Sequence, residues 1–427
     1  MDRLTLVSAV SDVILNVYGK DKDRETSLKM AFGDEGAAEI QQEVNFCLGN
    51  NQEEKYIAAA CIADHYGKEA ERTEKLGKWA DVVQARINAI YAMRGKSVEQ
   101  AAKDVINGNY DKGTVRELLL KFCGYNPGEV QAKVDQMLKT DPVTSTTKYR
   151  IHAEHFFRKS ESEYGDCTAI YQYGVDGKTI EKCVLIDTAK ATAADVVIAD
   201  LKAQGVRQID AVVISHAHGD HYGGLSKIAK AFPVKWIFLP DCSELDKYQK
   251  GYGNNLRRQA SKAKNHRYLR AGDSFVVGGI HCSCLYICPA KKLKEHDCHH
   301  FVNNESMALR FNLGGVIFHA GGDMQNDANR CMMESVKDLR AHIFKFQWHT
   351  DRTAILTALM ERIKPKVCYG NYHHKEGADR RSTRKVAESV GAHCYRNHED
   401  GQIYIDCVGK KITVETSKSG RHDSYTI

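Results

Sequence analysis

From Ser215 to Gly224 the chain reads Ser-His-Ala-His-Gly-Asp-His-Tyr-Gly-Gly, with three imidazoles and a carboxylate inside six residues. An apolar run, Ala211 to Ile214, leads straight into it. On a strand end residues two apart share a side, so His216 and His218 can offer ring nitrogens to one ion while the turn that follows presents Asp220 and His221 to a second. Gly219, Gly223 and Gly224 let the backbone bend tightly and the next helix pack close. A solvated histidine-rich loop is the plain alternative, and both the spacing and the preceding strand argue against it. The chemistry expected of such a segment is hydrolysis: metal-bound hydroxide forms near neutral pH without a protein base, and a second ion steadies the leaving oxygen.

Such a segment needs a scaffold, and the chain divides into two parts. At 427 residues it exceeds what one hydrophobic core usually organises. Residues 1–140 place apolar side chains at three- and four-residue spacing, which predicts helices; residues 149–427 alternate short β-rich runs with helical ones. Eighteen of the 19 histidines follow Arg150, so metal chemistry belongs to the second part. Residues 141–148, polar, β-branched and broken by Pro142, read as a linker.

The first part repeats itself over about residues 9–48, 56–91 and 97–138. Tyr18, Tyr66 and Tyr110 anchor the copies, each preceded at four residues by isoleucine (Ile14, Ile62, Ile106). Each is followed at six by arginine (Arg24, Arg72, Arg116) and four later by leucine (Leu28, Leu76, Leu120). Every copy ends on one helical signature, Ile40 to Asn45, Val83 to Asn88 and Val130 to Asp135. The units resemble the cell-wall-binding repeat of some phage lysozymes, which implies a bacterial cell-wall glycan as a partner; a helical spacer or docking platform is the alternative.

A net charge of +6 permits an anionic substrate without marking a concentrated nucleic-acid patch. Fourteen cysteines in a chain too large to need staples read as reduced thiols. No signal peptide or membrane span is legible, so the expected location is the cytoplasm, with release on lysis as the route to any wall substrate.

The Ser215–Gly224 segment matches the His-x-His-x-Asp-His motif of the metallo-β-lactamase superfamily, and other landmarks resemble that family in order. Gly165-Asp166-Cys167-Thr168 resembles its opening hairpin, and Val184 to Thr188 the next strand, in which Asp187 is expected to orient a ligand histidine. Phe318 to Asp323 resembles the strand that delivers a bridging aspartate, Asp323; His349, after a strand Phe344 to Trp348, is the expected last ligand of the second ion. The implied fold is an α+β two-part chain: all-α helical repeats, then an αββα sandwich. The implied cofactors are two divalent ions, Zn²⁺ or Mn²⁺. The metal set is His216, His218, Asp220, His221, Asp323 and His349. Where many members place a third histidine for the first ion, Asn303 and Asn304 stand here, just after His299 and His300, and Asn304 is expected to support the ligands.

Within the family the chain is most similar to the ComEC-type domain of DNA-uptake proteins. The residues that carry this are Asn303-Asn304-Glu305-Ser306, Trp348 to Thr353, and Gly370-Asn371-Tyr372-His373-His374. His373 and His374 are expected to face substrate, as general acid or phosphate donors, beside Asp220 in catalysis. The resemblance implies a phosphodiesterase acting on nucleic acid or another anionic polymer, with Arg380, Arg381, Arg384 and Lys385 as phosphate contacts or a solvated helix face. Two alternatives stand beside it: a cell-wall-targeted teichoic acid phosphodiesterase, and a binding module with a vestigial metal site. Cys282, Cys284 and Cys288, with His281, His296 and Cys298, suggest a structural zinc, but alternation in a β-run explains the first two as core.

Overall fold

The computed structural model describes residues 1–49, 52–106, 110, 113–139, 146–153, 165–242, 245–261, 263, 265–295, 300–350, 356–370 and 378–427. The expected site residues His373 and His374 lie outside these, as do His296, Cys298, His299, most of the linker, and the side chains of Arg380 and Arg381. The chain divides into two compact units, Met1–Leu138 and Lys139–Ile427.

The first unit is helical: α1 Arg3–Ile14, α2 Asp21–Gly49, α3 Glu53–Ile62, α4 Glu69–Leu76, α5 Ala80–Tyr91, α6 Val98–Ile106, α7 Gly113–Phe122 and α8 Pro127–Lys139. Gly33, at φ 73° and ψ 175°, breaks α2 into two limbs, so each sequence copy comprises three helical segments. Ile14, Ile62 and Ile106 close the first helix of their copies. Asn16 (φ 64°) and Asp64 (φ 66°) then take the left-handed turn, which short polar residues tolerate. Leu28, Leu76 and Leu120, and Ile40, Val83 and Val130, are all buried in one apolar cluster. The repeated arginine meets the repeated glutamine: Arg72 donates to Gln84 Oε1 at 2.8 Å and Arg116 to Gln131 Oε1 at 3.5 Å. Copies one and two are tied by Tyr66, whose hydroxyl donates to Ser11 Oγ at 2.7 Å.

The second unit is built from β1 Lys148–Ala153, β2 Thr168–Tyr173, β3 Ile180–Ile186, β4 Ile209–Val213, β5 Val234–Pro240, β6 His266–Leu269, β7 Ser274–Val277 and β8 Ile280–Tyr286. β9 Ala308–Leu313, β10 Val316–Ala320, β11 Ile343–Lys345, β12 Val367–Gly370, β13 His393–Arg396, β14 Ile403–Val408, β15 Lys411–Thr416 and β16 His422–Thr426 complete it. One sheet runs β16-β15-β14-β1-β2-β3-β4-β5-β6 and the other β13-β12-β11-β10-β9-β8-β7. Alternate residues of both sheets, among them Ile170, Val184, Val213, Phe311, Phe318 and Ile405, fill the layer between them. The outer face of the second sheet is covered by helices Asn326–Ser335 and Thr357–Ile363, through Met332, Leu359 and Met360. Helix Ala194–Ala203 buries Val197 and Leu201 on its own apolar side. The unit is an αββα sandwich. β1 starts at Lys148, one residue inside the stretch assigned to the linker, because Lys148 pairs with Val408 in the ladder and its ammonium reaches Asp406 at 3.0 Å.

β3, β4 and β5 run parallel, and so do β10, β11 and β12. Parallel strands open a crevice beyond their carboxyl ends, where ligands of α/β sheets gather. The segments leaving β3, β4, β10 and β11 carry Asp187, His216, Asp323 and His349 respectively.

Elsewhere in this unit His152 of β1 is fully buried, stacked on Tyr404 at 4.4 Å with its Nδ1 3.5 Å from Asp200 Oδ2. Burial, reinforced by Arg150 and opposed by Asp200, pushes its pKa down to about 4. The unfolded chain binds this proton near pH 6.5, so the stability the neutral ring contributes is present above that pH and is lost as pH falls toward 4. The expected loss for this group is on the order of 3 kcal/mol, and His152→Phe should flatten that part of a urea-midpoint profile between pH 7 and pH 4. A variant profile as steep as the parent's would assign the acid sensitivity to other groups.

Candidate metal centre

β3 ends at Ile186, and Asp187 turns the chain at φ 62°, a conformation that costs a non-glycine residue roughly 1–3 kcal/mol and needs surrounding contacts to hold it. Those contacts are present. The Asp187 carboxylate accepts from Ser215 N at 2.7 Å, from Ser215 Oγ at 2.8 Å and from His221 Nδ1 at 2.8 Å, all in the interior. A ring held through Nδ1 turns Nε2 toward the crevice, which is what a ligand histidine requires. Asp187 therefore lies behind His221, bonded to its Nδ1, and in none of the groups of candidate ligand atoms.

The loop after β4 brings the other motif residues together. His216 is buried, its Nε2 3.0 Å from His218 Nδ1 and 3.8 Å from Asp323 Oδ2. His221 Nε2 is 3.3 Å from the same Asp323 oxygen. His349 Nε2 lies 3.3 Å from Asp220 Oδ2 and 3.5 Å from Asp323 Oδ2. The donors fall into overlapping groups, His216 with His218 and Asp323, Asp220 with His221 and His349, and Asp166 with His221 and Asp323, each with its ligand atoms within 4.8 Å of one another.

The turns that deliver these residues depend on close approach. A Cβ on Gly224 would collide with the Thr188 carbonyl and one on Gly322 with Ser215 and Ser306, so both positions exclude larger residues. Asp323 N–H donates to Ser306 Oγ at 3.0 Å. His349 lies on a short 3₁₀ turn, Trp348–Thr350, and not after a strand running to Trp348 as expected; β11 stops at Lys345. Trp348, His349 and Thr350 all take positive φ, at 41°, 48° and 67°, which no strand admits. Asn304 is fully buried and braces this region through the backbone: its Oδ1 accepts from Gln325 N at 2.9 Å and its Nδ2 donates to His300 O at 3.1 Å. Its neighbour Asn303 is the amide that faces the ligands, set against His218 with a buried Oδ1 that makes no well-formed hydrogen bond.

One pair at the centre was not identified in the sequence. Asp166, just before β2, is fully buried and bonded to the equally buried ammonium of Lys345 on β11. Its other oxygen is 3.9 Å from His349 Nδ1 and accepts no hydrogen bond. Asp166 N–H also donates to the Asp220 carbonyl at 3.0 Å, so this residue secures the motif loop from two sides.

Burial opposes charge on every member, and the outcome differs among them. Desolvation dominates at His216 and His218 and depresses both, leaving neutral rings. Burial pushes the same way at His221 and His349, but Asp323, Asp187 and Asp220 together raise the first, and Asp323, Asp166 and Asp220 the second. Asp323 is held far below the carboxylate range by His221 and His349 despite its burial. The residues fit a cation. Asp323 Oδ1 and Asp166 Oδ1 are buried without a hydrogen bond, each a cost of about 1–3 kcal/mol unless something positive meets it.

With this geometry in view the comparisons are direct. Residues 171–241 match the family model for the metallo-beta-lactamase superfamily. That stretch, from β2 through β5 with the motif loop between them, is similar to the metallo-β-lactamase superfamily, and its histidines and carboxylates form groups that could hold a metal ion. ComE operon protein 3 of Bacillus subtilis (strain 168) is 23% identical over 191 residues, covering 42% of this chain and 23% of that protein, so the match spans under a quarter of the relative. CmlA, a diiron beta-hydroxylase from Streptomyces venezuelae, aligns with TM-score 0.38 at 11% identity over 69% of this chain and 60% of its own. A diphosphatase of the PhnP family aligns with TM-score 0.37 at 12% identity over 61% of this chain and 98% of its own.

The other sequence candidates lie elsewhere. Cys282 and Cys284 point into the layer between the sheets, and no cysteine joins a ligand group among the described residues. Arg384 pairs with Glu388 at 2.6 Å and Glu399 at 3.6 Å, as a solvated helix face does.

Two outcomes follow. Removing one partner of a buried ion pair strands the other, so Lys345→Met should cost the apo protein about 3–5 kcal/mol, and adding Asp166→Asn should recover much of it. Urea melts of both variants test this, and a single-variant cost below about 1 kcal/mol would show that the pair contributes no stability. Because ligation needs lone pairs that His221 and His349 give to protons, Mn²⁺ or Zn²⁺ uptake at pH 7 should release protons and tighten as pH rises. Calorimetry in buffers of different ionisation enthalpy reads the release directly; none at all would mean both rings are already neutral.

Proposed function

We propose that this protein is a phosphodiesterase that cleaves nucleic acid at a two-ion centre. One observation carries the reading: Asp323 Oδ2 lies 3.3–3.8 Å from ring nitrogens of both ligand groups, His221 and His349 on one side and His216 on the other. A carboxylate so placed serves two cations about 3.5–4 Å apart, the spacing of two-metal phosphoryl-transfer sites. Bound there, divalent ions supply Lewis acidity and water that is acidic near neutral pH.

The chain's own residues set the rest. His216 and His218, kept neutral by burial, present lone pairs for the first position, with the Asn303 amide beside them in place of a third imidazole. Asp220, His221 and His349 serve the second, and Asp187 and Asp166 fix the orientation of His221 and the motif loop. An amide oxygen suits a hard ion such as Mn²⁺ better than Zn²⁺, and the remaining donors accept either. The resemblance to the ComEC-type domain of DNA-uptake proteins supports a nucleic-acid diester as the substrate, and the net charge of +6 agrees with an anionic one.

The full chain, stripped with EDTA and reloaded with Mn²⁺ or Zn²⁺, should cleave labelled DNA, and Asp220→Ala should remove that activity. Loss of a residue behind a ligand typically costs 10–100-fold, so loss of the ligand itself should cost at least about 100-fold in kcat/KM. Cleavage that survives chelation or the substitution would exclude the mechanism.

A further inference from the structure

Beside the centre, the helix Tyr252–Ala260 starts with an aromatic residue whose backbone is fixed on both sides. Gly251 takes φ 94°, and the N–H groups of Gly251 and Gly253 both donate to Asp246 Oδ1, at 2.9 and 3.1 Å. The other oxygen of Asp246 accepts from Arg257 at 2.8 Å, and that guanidinium also donates to the Cys242 carbonyl at 2.8 Å. A Cβ on Gly253 would sit 2.6 Å from the Cys242 carbonyl oxygen and 2.9 Å from Asp246 Oδ2, so only glycine lets this loop close.

Held between these two glycines, the Tyr252 side chain stays 42% exposed. Single exposed rings are ordinary on a protein surface, Trp236 being equally exposed at 42%, and what sets Tyr252 apart is its fixed backbone and its place beside the first ligand group. The ring stands edge-on to His218, with centroids 5.4 Å apart and planes at 80°, next to the first ligand group. Asn255 and Arg258 follow it at three-residue spacing along the same exposed stripe, with the Arg258 guanidinium bonded to Asn255 Oδ1 at 3.0 Å. A positioned aromatic face with a cation along the same track is how single-stranded nucleic acid is gripped: bases stack, and phosphates meet arginine.

We propose that Tyr252 is a base platform and a specificity-determining residue of this site. A nucleobase adjoining the scissile phosphate stacks on its exposed ring, Arg258 takes a neighbouring phosphate, and the preferred substrate is unpaired nucleic acid. A duplex keeps its bases stacked on one another and cannot offer one to Tyr252 without unpairing. The inference rests on the phosphodiesterase reading and narrows it.

The test compares kcat/KM of the metal-loaded full chain on a fluorescent oligothymidylate and on an abasic oligomer of the same length and label. Wild type should favour the base-bearing strand, and Tyr252→Ala should collapse that preference by about 10- to 100-fold, the range of one base–aromatic contact. Tyr252→Phe and Tyr252→Trp should retain it, with metal content per chain confirming that each variant keeps its centre. A wild type that cleaves both oligomers equally, or a Tyr252→Ala variant with its preference intact, overturns the platform and leaves the diesterase standing. Loss in Tyr252→Phe as large as in Tyr252→Ala would assign the role to the hydroxyl and overturn stacking. Cleavage of neither oligomer by wild type would remove the diesterase reading and this inference together.

Discussion

Four carboxylates, those of Asp166, Asp187, Asp220 and Asp323, converge in a region where three are almost wholly buried and the fourth mostly so. Like charges gathered in low dielectric repel strongly, and the fold is stable only if cations answer them. Lys345 answers one permanently. The same carboxylates raise the proton affinity of His221 and His349, whereas burial wins at His216 and His218, which come just before His221 on the β4 loop, and depresses both. With neutral rings, four negative charges less Lys345 leave three, and the two divalent ions proposed would turn that into one positive charge. This is the sign an anionic diester needs, and it depends on Lys345 as much as on the ligands.

Holding these groups at fixed separations requires rigid backbone at places where backbone is usually loose. Asp187 and the Trp348–Thr350 turn take left-handed conformations that cost roughly 1–3 kcal/mol per residue. Gly224 and Gly322 admit main-chain approaches that a methyl group would block. The compensating contacts come from both sheets: Ser215 from the β4 loop and Ser306 ahead of β9 meet at Gly322, beside Asp323. The layer of Phe311, Phe318 and Tyr369 between the sheets keeps those loops in register, so packing energy remote from the centre sets the ligand distances within it.

What was legible in the sequence follows the reach of each signal. The motif from His216 to His221 is local, so its spacing is readable from the chain even though a short helix, Gly219–Tyr222, carries its second half; the helical period of the first unit is readable because it recurs. Asp323 and His349 were placed by family resemblance, since nothing near them in the chain announces a ligand. The Asp166–Lys345 pair joins residues 179 apart, one in what reads as a turn and one in an apolar run, and only the paired sheets bring them together. A lysine inside a three-residue strand with both neighbours buried was the available signal, because such a position demands a partner. Of the adjacent asparagines the expectation fell on Asn304, and spacing does not separate the two: the short helix turns Asn304 to the backbone and leaves Asn303 beside His218.

That choice of asparagine bears on how the two positions differ. A third imidazole would add a strong, soft donor to the first group; the Asn303 amide adds a weak, hard one. The second group is richer, with Asp220, His221 and His349 around it and Asp166 behind. On the proposed two-ion reading the two positions would differ in affinity, the first depending more on metal supply and on whatever else approaches His218. Tyr252 is the residue that approaches it. A substrate stacked on Tyr252, as proposed, would bring its phosphate toward that position and add oxygen donors where the protein has fewest. On that proposal, binding of the substrate and filling of the first position would be coupled, and by linkage each would strengthen the other to the same degree.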